Sequence, residues 1–162
     1  MTRWKPLLPW LAISALIALA DHASKSAVSS ALRPGEAREV TPFFNLVLAH
    51  NRGAAFSFLS DAGGWQRTLF IGIAVLATAV IVTLLLKHSG ERLFSAGLAL
   101  ILGGALGNLW DRIILGYVVD FLDFHAFGWH FWAFNVADSA ITIGAGLLIL
   151  DSLLAAGTTQ KA

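Results

Sequence analysis

The sequence predicts a mainly α-helical membrane protein with four transmembrane helices, and three observations lead to this class. The 162 residues are 57% hydrophobic and only 13% charged, far too apolar for a soluble domain of this size. The charged residues lie at ends and turns and leave long apolar runs between them. The run 68–86 carries no charge and is long enough to cross a hydrocarbon core of about 30 Å. We predict one integral membrane domain, 1–162, with spans at approximately 7–27, 68–86, 93–112 and 134–154.

The first span has two interpretations. The basic residues Arg3 and Lys5, the apolar stretch after them and the small residues 18–20 are typical of a cleavable signal peptide. The alternative is a retained helix in which Asp21 and Lys25, one turn apart, pair with each other or with a neighbouring helix. Polar residues at the ends of other spans favour the retained helix, because they would meet Asp21 at the same depth of the membrane.

Two segments outside the spans carry distinct patterns. Residues 38–58 are rich in β-favouring Val and Phe and are interrupted by a turn-like Asn51-Arg52-Gly53. This stretch is too polar and broken to cross a membrane, so it predicts a small β element at the membrane surface. The segment 115–133 carries an aromatic loop, which includes Phe124, Phe127, Trp129, Phe131 and Trp132.

The second and third spans, with the loop between them, indicate how the helices pack and how the protein is oriented in the membrane. The second span has no polar stripe, so we interpret it as a scaffold helix. The third contains Gly103-x-x-x-Gly107, a spacing that lets helices approach closely. The short loop between them holds Lys87 and Arg92, and dense positive charge is typical of cytoplasmic loops. Because four spans put both termini on one side, we predict cytoplasmic termini.

In this topology, polar residues from three spans collect at the outer membrane face. Those of the third span share one helical face, and those of the fourth recur at i, i+3, i+4 and i+7 to form one polar stripe. So many polar groups at one depth of a membrane protein predict a functional site. The residues are Asp21, Lys25, Asn108, Asp111, Arg112, Asn135, Asp138, Ser139 and Thr142.

The residue types limit the chemistry of this site. There is no cysteine, which excludes thiolate nucleophiles and disulfides. Ser24 and Ser139 have no motif that would supply a histidine base, and the histidines show no metal-ligand spacing. We interpret His125 and His130 as interfacial loop residues rather than zinc ligands. We therefore expect no metal and no cofactor, and a net charge of +1 gives no electrostatic footprint for nucleic acid.

Carboxylates are the remaining candidates for catalysis. Two aspartates a few Å apart cannot both ionise easily, so one holds a proton while the other acts as general base on a water molecule. Asp21 and Asp111 each lie close to a cationic residue in the sequence, which favours ion-pair roles for them. The pair that remains is Asp138 with either Asp120 or Asp123, and the spacing leaves that choice open.

Five motifs, in the same order along nearly the whole chain, resemble those of the bacterial lipoprotein signal peptidase (signal peptidase II) family. A lone Asn-x-x-Asp-Arg would mean little, but the set is specific. The motifs are Asp21-x-x-Ser24-Lys25, Asn51-x-Gly53-Ala54-Ala55-Phe56, Gly103-Gly104-Ala105-x-Gly107-Asn108-x-x-Asp111-Arg112, Val118-Val119-Asp120-Phe121 and Phe134-Asn135-x-Ala137-Asp138-Ser139.

The resemblance implies four transmembrane helices, cytoplasmic termini and a small extracytoplasmic β-sheet cradle. It implies an aspartic endopeptidase of the bacterial cytoplasmic (inner) membrane that cleaves prolipoproteins, on the periplasmic side, before the diacylglyceryl-modified cysteine. Asp120 and Asp138 match the catalytic pair of the family. The matching substrate-binding positions are Asn51, Gly107, Asn108, Arg112 and Asn135, and the supporting polar positions are Asp21, Lys25 and Asp111.

The same resemblance implies the partners. They are a diacylglyceryl-modified prolipoprotein, membrane lipid and globomycin-type peptide inhibitors, bound by a monomer. Arg112 and the asparagines would hold substrate carbonyls, and the aromatic loop would cover the site. Two positions depart from the family pattern: His22 stands where glutamine is usual, and Arg52 stands where a small polar residue is common. These departures bear on substrate preference more than on catalysis.

Two alternatives come from other functional classes. A small ion-coupled transporter would use the aspartates as a proton relay and would distribute polar residues through the membrane depth. A non-catalytic assembly factor would use the aspartates only to pair with Lys25 and Arg112. That second role leaves two or more aspartates without cations, which is costly inside a membrane.

Overall fold

The computed structural model of the protein describes residues 7–53 and 63–159. Those residues contain four helices that are long and apolar enough to cross a membrane. They are α1 (Leu8–Ala31), α2 (Trp65–His88), α3 (Arg92–Ile114) and α4 (Val136–Thr159). The prediction of four spans is confirmed at the level of helices, and the first of them carries Asp21 and Lys25. The helices also extend beyond the apolar runs, because polar and small residues continue a helix until a breaker is reached.

The ends of α1 and α4 illustrate how the boundaries are set. The predicted first span ended at 27, but α1 continues to Ala31 and stops just before Arg33-Pro34-Gly35, where proline disfavours helical backbone in the preceding residue. The predicted fourth span began at 134, but α4 starts at Val136 because Phe134 is bridged to Leu122 of the sheet described below.

Helix α3 is the centre of the bundle and contacts the other three helices. Its glycines make this possible. A Cβ atom on Gly103 would lie 2.7 Å from the Ser14 carbonyl oxygen of α1, and one on Gly97 would lie 2.9 Å from the Gly144 carbonyl oxygen of α4. Any side chain at these positions would force the helices apart. The prediction that the glycines of the third span permit close helix approach is therefore confirmed.

Four antiparallel strands form one sheet in the order β1-β2-β3-β4. The predicted β element at 38–58 corresponds to β1 (Ala37–Thr41) and β2 (Phe44–Asn51), while residues 54–58 lie outside the described part of the chain. The segment predicted as an aromatic loop instead supplies β3 (Val118–Ala126) and β4 (Trp129–His130). Pairing of β3 with β2 joins residues far apart in the chain, as in the hydrogen bond from Asn51 to Asp120.

Two apolar clusters bracket the polar residues. One lies at the predicted cytoplasmic ends of the helices and contains Leu85, Leu98 and Leu102. The other lies under the sheet, where Leu32 of α1 packs against strands β2 and β3. Asp21 and Lys25 sit on α1 between these clusters, and both are buried. Apolar clusters therefore pack on both sides of these polar groups.

Candidate active site

Lys25 holds a buried ionic cluster that joins α1 and α3. Its ammonium group lies 2.7 Å from Asp21 and 2.9 Å from Asp111, and it donates a hydrogen bond of 2.9 Å to Oδ1 of Asn108. These contacts use the three donors of the ammonium group. The predicted Asp21–Lys25 pair is confirmed. Asp111 also has an ion-pair role, but its partner is Lys25 rather than its sequence neighbour Arg112.

The start of α4 is attached to this cluster and to the sheet. Asp21 Oδ1 accepts a hydrogen bond of 2.9 Å from the Ala137 amide in the first turn of α4. Asn135 is the N-cap residue of the helix, since its Oδ1 accepts a bond of 2.9 Å from the Asp138 amide three residues later. Asp138, which belongs to the predicted polar stripe, therefore lies in the first turn of α4. Its backbone amide is bonded to the N-cap residue Asn135.

Asp120 is buried on β3 and is held by two amides. Nδ2 of Asn135 donates to one carboxylate oxygen at 2.7 Å, and Nδ2 of Asn51 donates to the other at 3.0 Å. These two donors come from the start of α4 and the end of β2. Burial, followed by the charge of Asp138, raises the pKa of Asp120 to about 7, and the amide bonds act in the opposite direction. Asp120 is therefore protonated in a large fraction of molecules near neutral pH.

Asn108 orients the other carboxylate. Its Oδ1 accepts from Lys25, so its Nδ2 is left to donate, and it does so to Asp138 Oδ1 at 2.8 Å. The buried cation thus fixes the amide orientation that Asp138 requires. Within the described residues, Asp120 and Asp138 form no salt bridge, which speaks against the assembly-factor role in which aspartates only pair with cations.

Asp120 and Asp138 line the same cavity, which has a volume of about 480 Å³. The cavity is lined by both polar and apolar side chains. Its polar lining comes from the two aspartates and from residues of the predicted substrate site, and its apolar lining comes from the segment before α4 and from α4 itself. The lining residues include Asn51, Asn108, Arg112, Val118, Phe131, Trp132, Phe134, Ser139, Ile141 and Thr142.

Arg112 supplies the positive charge in the cavity wall. Its guanidinium donates to the Gly53 carbonyl at 3.0 Å and to the Asn108 carbonyl at 3.3 Å, and it lies 5.2 Å from the centre of the Phe70 ring. A guanidinium has five N–H donors, so one that contacts two carbonyls and an aromatic face has capacity left for a ligand oxygen.

Other predicted residues have structural positions. Gly107 faces Asp21, whose carboxylate would collide with any Cβ there, so this glycine lets α1 and α3 approach rather than contacting the cavity. The hydroxyls of Ser139 and Thr142 donate to helix carbonyls one turn earlier. His22 is exposed and contacts the edge of Trp110 at 6.1 Å between ring centres, so it points away from the Lys25 cluster.

Asp123 is separated from the pair by its own partners. It accepts a hydrogen bond of 2.9 Å from Asn45, and His130 Nδ1 lies 3.0 Å from its carboxylate. It lines a second cavity of about 710 Å³, together with Pro34. Of the two pairings left open by the sequence, only Asp120 with Asp138 shares one cavity among the described residues.

Only part of the aromatic segment lies at the site. Phe131 and Trp132 line the cavity of the two aspartates. Phe127 and Trp129 lie at the exposed tip of the β3–β4 hairpin, and Phe127 has a left-handed φ of 52°. The stretch that follows the hairpin therefore contributes to the cavity, whereas Phe127 and Trp129 do not line it.

The residues missed by the sequence lie on α2. Arg67 and Phe70 contact the last turn of α3 and Arg112, although we interpreted this helix as a scaffold. Helix α2 has no polar stripe, because the side chains that it contributes to the site are one exposed arginine near the helix start and one aromatic ring. Only the packing of α2 against α3 reveals the two residues together.

Comparison with known proteins gives one consistent result. The family model of peptidase A8, described as signal peptidase (SPase) II, matches residues 13–154. A protein of Burkholderia multivorans named lipoprotein signal peptidase is 60% identical over 147 residues, which cover 91% of this chain and 89% of that protein. A protein of the same name from Paraburkholderia phytofirmans is 56% identical, covering 91% and 86%. A bacterial membrane enzyme solved by the in meso method has a TM-score of 0.83 at 32% identity, covering 95% of this chain and 92% of that one.

Proposed function

Because the chain belongs to the signal peptidase II family, we propose that it removes the signal peptide from prolipoproteins by cleaving before the diacylglyceryl-modified cysteine. It is a multi-pass membrane peptidase, and we assign it the aspartic type. The observation that carries the proposal is the pair of carboxylates, Asp120 and Asp138, that line one cavity without a salt bridge among the described residues. Such a pair can share one proton and activate water.

The reaction begins with the pair holding one proton. In this proposal Asp120 carries the proton, in line with its raised pKa of about 7, and Asp138 acts as the general base. Asp138 takes a proton from a water molecule as the water oxygen attacks the scissile carbonyl carbon. The Asp120 carboxyl donates its proton to the carbonyl oxygen, which gives a neutral tetrahedral intermediate. Collapse breaks the C–N bond; the proton on Asp138 goes to the departing cysteine amine, and the proton of one hydroxyl returns to Asp120.

The surrounding residues orient these groups. Asn51 and Asn135 hold Asp120, and Asn108 holds Asp138. Arg112 offers N–H donors to the substrate carbonyls beside the scissile bond. Asp21, Lys25 and Asp111 are supporting residues, because they fix Asn108 and the start of α4.

Family membership and the position of the cavity support a proposal for the partners and the location. A lipid-modified substrate keeps its acyl chains in the bilayer while its cysteine reaches a cavity at one end of the helix bundle. We propose that this end faces the periplasm, that the termini are cytoplasmic and that the protein resides in the bacterial inner membrane as a monomer. Globomycin-type peptides would compete for the cavity.

The test is cleavage of a diacylglyceryl-modified prolipoprotein by purified protein in detergent. Asp120→Asn and Asp138→Asn are compared with Asp123→Asn, a matched change on the same strand as Asp120. We expect each of the first two to lose roughly 10³-fold or more in kcat, because each removes a group that must move a proton. Asp123→Asn should stay within a few-fold of wild type. Substantial cleavage by folded Asp120→Asn or Asp138→Asn would refute the pair, and absence of cleavage by folded wild type would refute the function.

A further inference from the structure

The last turn of α3 is held by a residue of another helix. Nε of Arg67 donates to the Arg112 carbonyl at 2.8 Å, and Nη2 of the same side chain donates to the Ile113 carbonyl at 2.8 Å. The guanidinium fork therefore spans two successive carbonyls at the helix end. One of them belongs to the residue whose side chain lines the cavity of the two aspartates.

This contact satisfies a general need of helix ends. The last four carbonyls of an α-helix have no partner within the helix, and a positive charge there interacts favourably with the helix dipole. The chain turns at Gly116, which has a left-handed φ of 83°, and the Arg67 guanidinium lies against this glycine. Arg67 thus caps α3 from outside, with a geometry that the single ammonium of lysine cannot reproduce.

A second residue of α2 acts on the side chain of Arg112 directly. Phe70 lies three residues after Arg67, on the same helical face, and its ring supports the Arg112 guanidinium at 5.2 Å. Backbone and side chain of Arg112 are therefore both positioned by the first turns of α2. The neighbouring Asp111 is held separately, by Lys25 and by the Val119 amide.

We propose that Arg67 is a positioning residue for the reaction and acts through Arg112, with Phe70 as the second contact. Removal of the Arg67 cap lets the last turn of α3 relax and withdraws the Arg112 guanidinium from the substrate. Asp111 stays in place because its anchors lie on α1 and β3. This inference rests on the proposed function, since it assigns Arg112 to the binding of substrate carbonyls.

The kinetic test uses three substitutions and a matched control. Arg67→Ala should lower kcat about 10-fold, Arg67→Lys should lie between it and wild type, and Phe70→Leu should lower kcat about 3-fold. Arg38→Ala is the control, because Arg38 is also an exposed arginine outside the apolar runs and pairs loosely with Glu36 at 3.6 Å. It should match wild type. Equal kcat for Arg67→Ala and Arg38→Ala would overturn the proposal.

A double-mutant cycle separates positioning from general stabilisation. If Arg67 acts through Arg112, Arg67→Ala should cost less than about 2-fold in an Arg112→Lys background, since the group it positions is already altered. A purely structural role predicts a lower melting temperature in both backgrounds and an unchanged kcat at temperatures well below it. Full additivity of the two substitutions would refute the proposal.

A measurement without substrate keeps this inference distinct from the proposed function. The Asp120 carboxyl can be titrated by ¹³C NMR in detergent micelles. The charged residues that face it or its neighbours are Asp138, Arg112, Asp111 and Lys25. Withdrawal of the arginine in Arg67→Ala should raise the Asp120 midpoint by about 0.5 to 1 pH unit, and Arg38→Ala should leave it unchanged. An unchanged midpoint in Arg67→Ala would overturn the positioning role, whether or not wild type cleaves.

Discussion

Asp120 and Asp123 are three residues apart on one strand, and both are buried, yet their surroundings differ in kind. Asp120 accepts hydrogen bonds from two neutral amides and shares its cavity with a second carboxylate. Asp123 is bonded to one amide and to His130, a group that can carry the balancing charge. A neutral amide orients a carboxylate without supplying a full balancing charge, whereas a histidine partner can supply one. Partner chemistry, rather than burial, marks the carboxylate that can exchange protons.

The largest expected effect comes from the buried cation that supports the Asp120–Asp138 cavity. Lys25→Met leaves Asp21 and Asp111 buried without their positive charge, which costs about 4 kcal/mol in comparable cases. We expect a large fall in the melting temperature in detergent and loss of cleavage. His130→Ala, which removes the partner of Asp123, is the comparison and should change the melting temperature little. A Lys25→Met protein as stable as wild type would show that the cluster is not structural.

The amides that orient the two aspartates provide the next test. Asn135→Ala removes a bond to Asp120 and the N-cap bond to Asp138, so kcat should fall about 100-fold and stability by about 1 kcal/mol. Asn45→Ala removes the amide bond to Asp123 and should leave kcat within about 3-fold of wild type. Steady-state kinetics on both variants checks the difference. Similar losses in the two would mean that Asp123 also serves the reaction.

The direction of the pH dependence tests whether Asp120 is the protonated member of the pair. Folding raises the pKa of Asp120 from 3.8 to about 7, so the folded state binds this proton more tightly than the unfolded state. The contribution of this group to stability is full below pH about 4 and is lost as pH rises towards about 7. Cleavage should likewise fall about 10-fold per pH unit above about 7, as the shared proton is lost. A rate that stays constant between about pH 6 and about pH 9 would contradict the shared proton.

The smallest expected effect on cleavage concerns Gly107, which serves the helix contact rather than the cavity. Gly107→Ala places a methyl group against the Asp21 carboxylate, and such overpacking typically costs about 1–3 kcal/mol. Gly146→Ala is a matched control, because nothing lies within 4 Å of a Cβ there. Thermal unfolding of both variants in detergent measures the difference. Equal melting temperatures for the two variants would mean that a methyl group at position 107 meets no neighbouring atom. That result would contradict the contact of Gly107 between α1 and α3.

The family motifs are enough to identify most of the site residues, because each motif lies in a short stretch of chain. The fold brings most of them together around one cavity and the Lys25 cluster. Several expectations needed correction, and Gly107 is one of them because it lies at the α1–α3 contact. Asp111 pairs with Lys25 rather than with Arg112, and the aromatic segment forms part of a sheet, with only Phe131 and Trp132 of its predicted loop residues at the cavity.

What the sequence determined by itself was the set of four helices, since long apolar runs specify a membrane helix through local hydrogen bonds and hydrophobicity. It also indicated which aspartates have a cationic neighbour along the chain. Tertiary structure decided the rest: the pairing of β2 with β3, the placement of Asp120 rather than Asp123 in one cavity with Asp138, and the contact of Arg67 with the end of α3. Each of these joins residues far apart in the chain, so it depends on how helices and strands pack, and no local pattern encodes it.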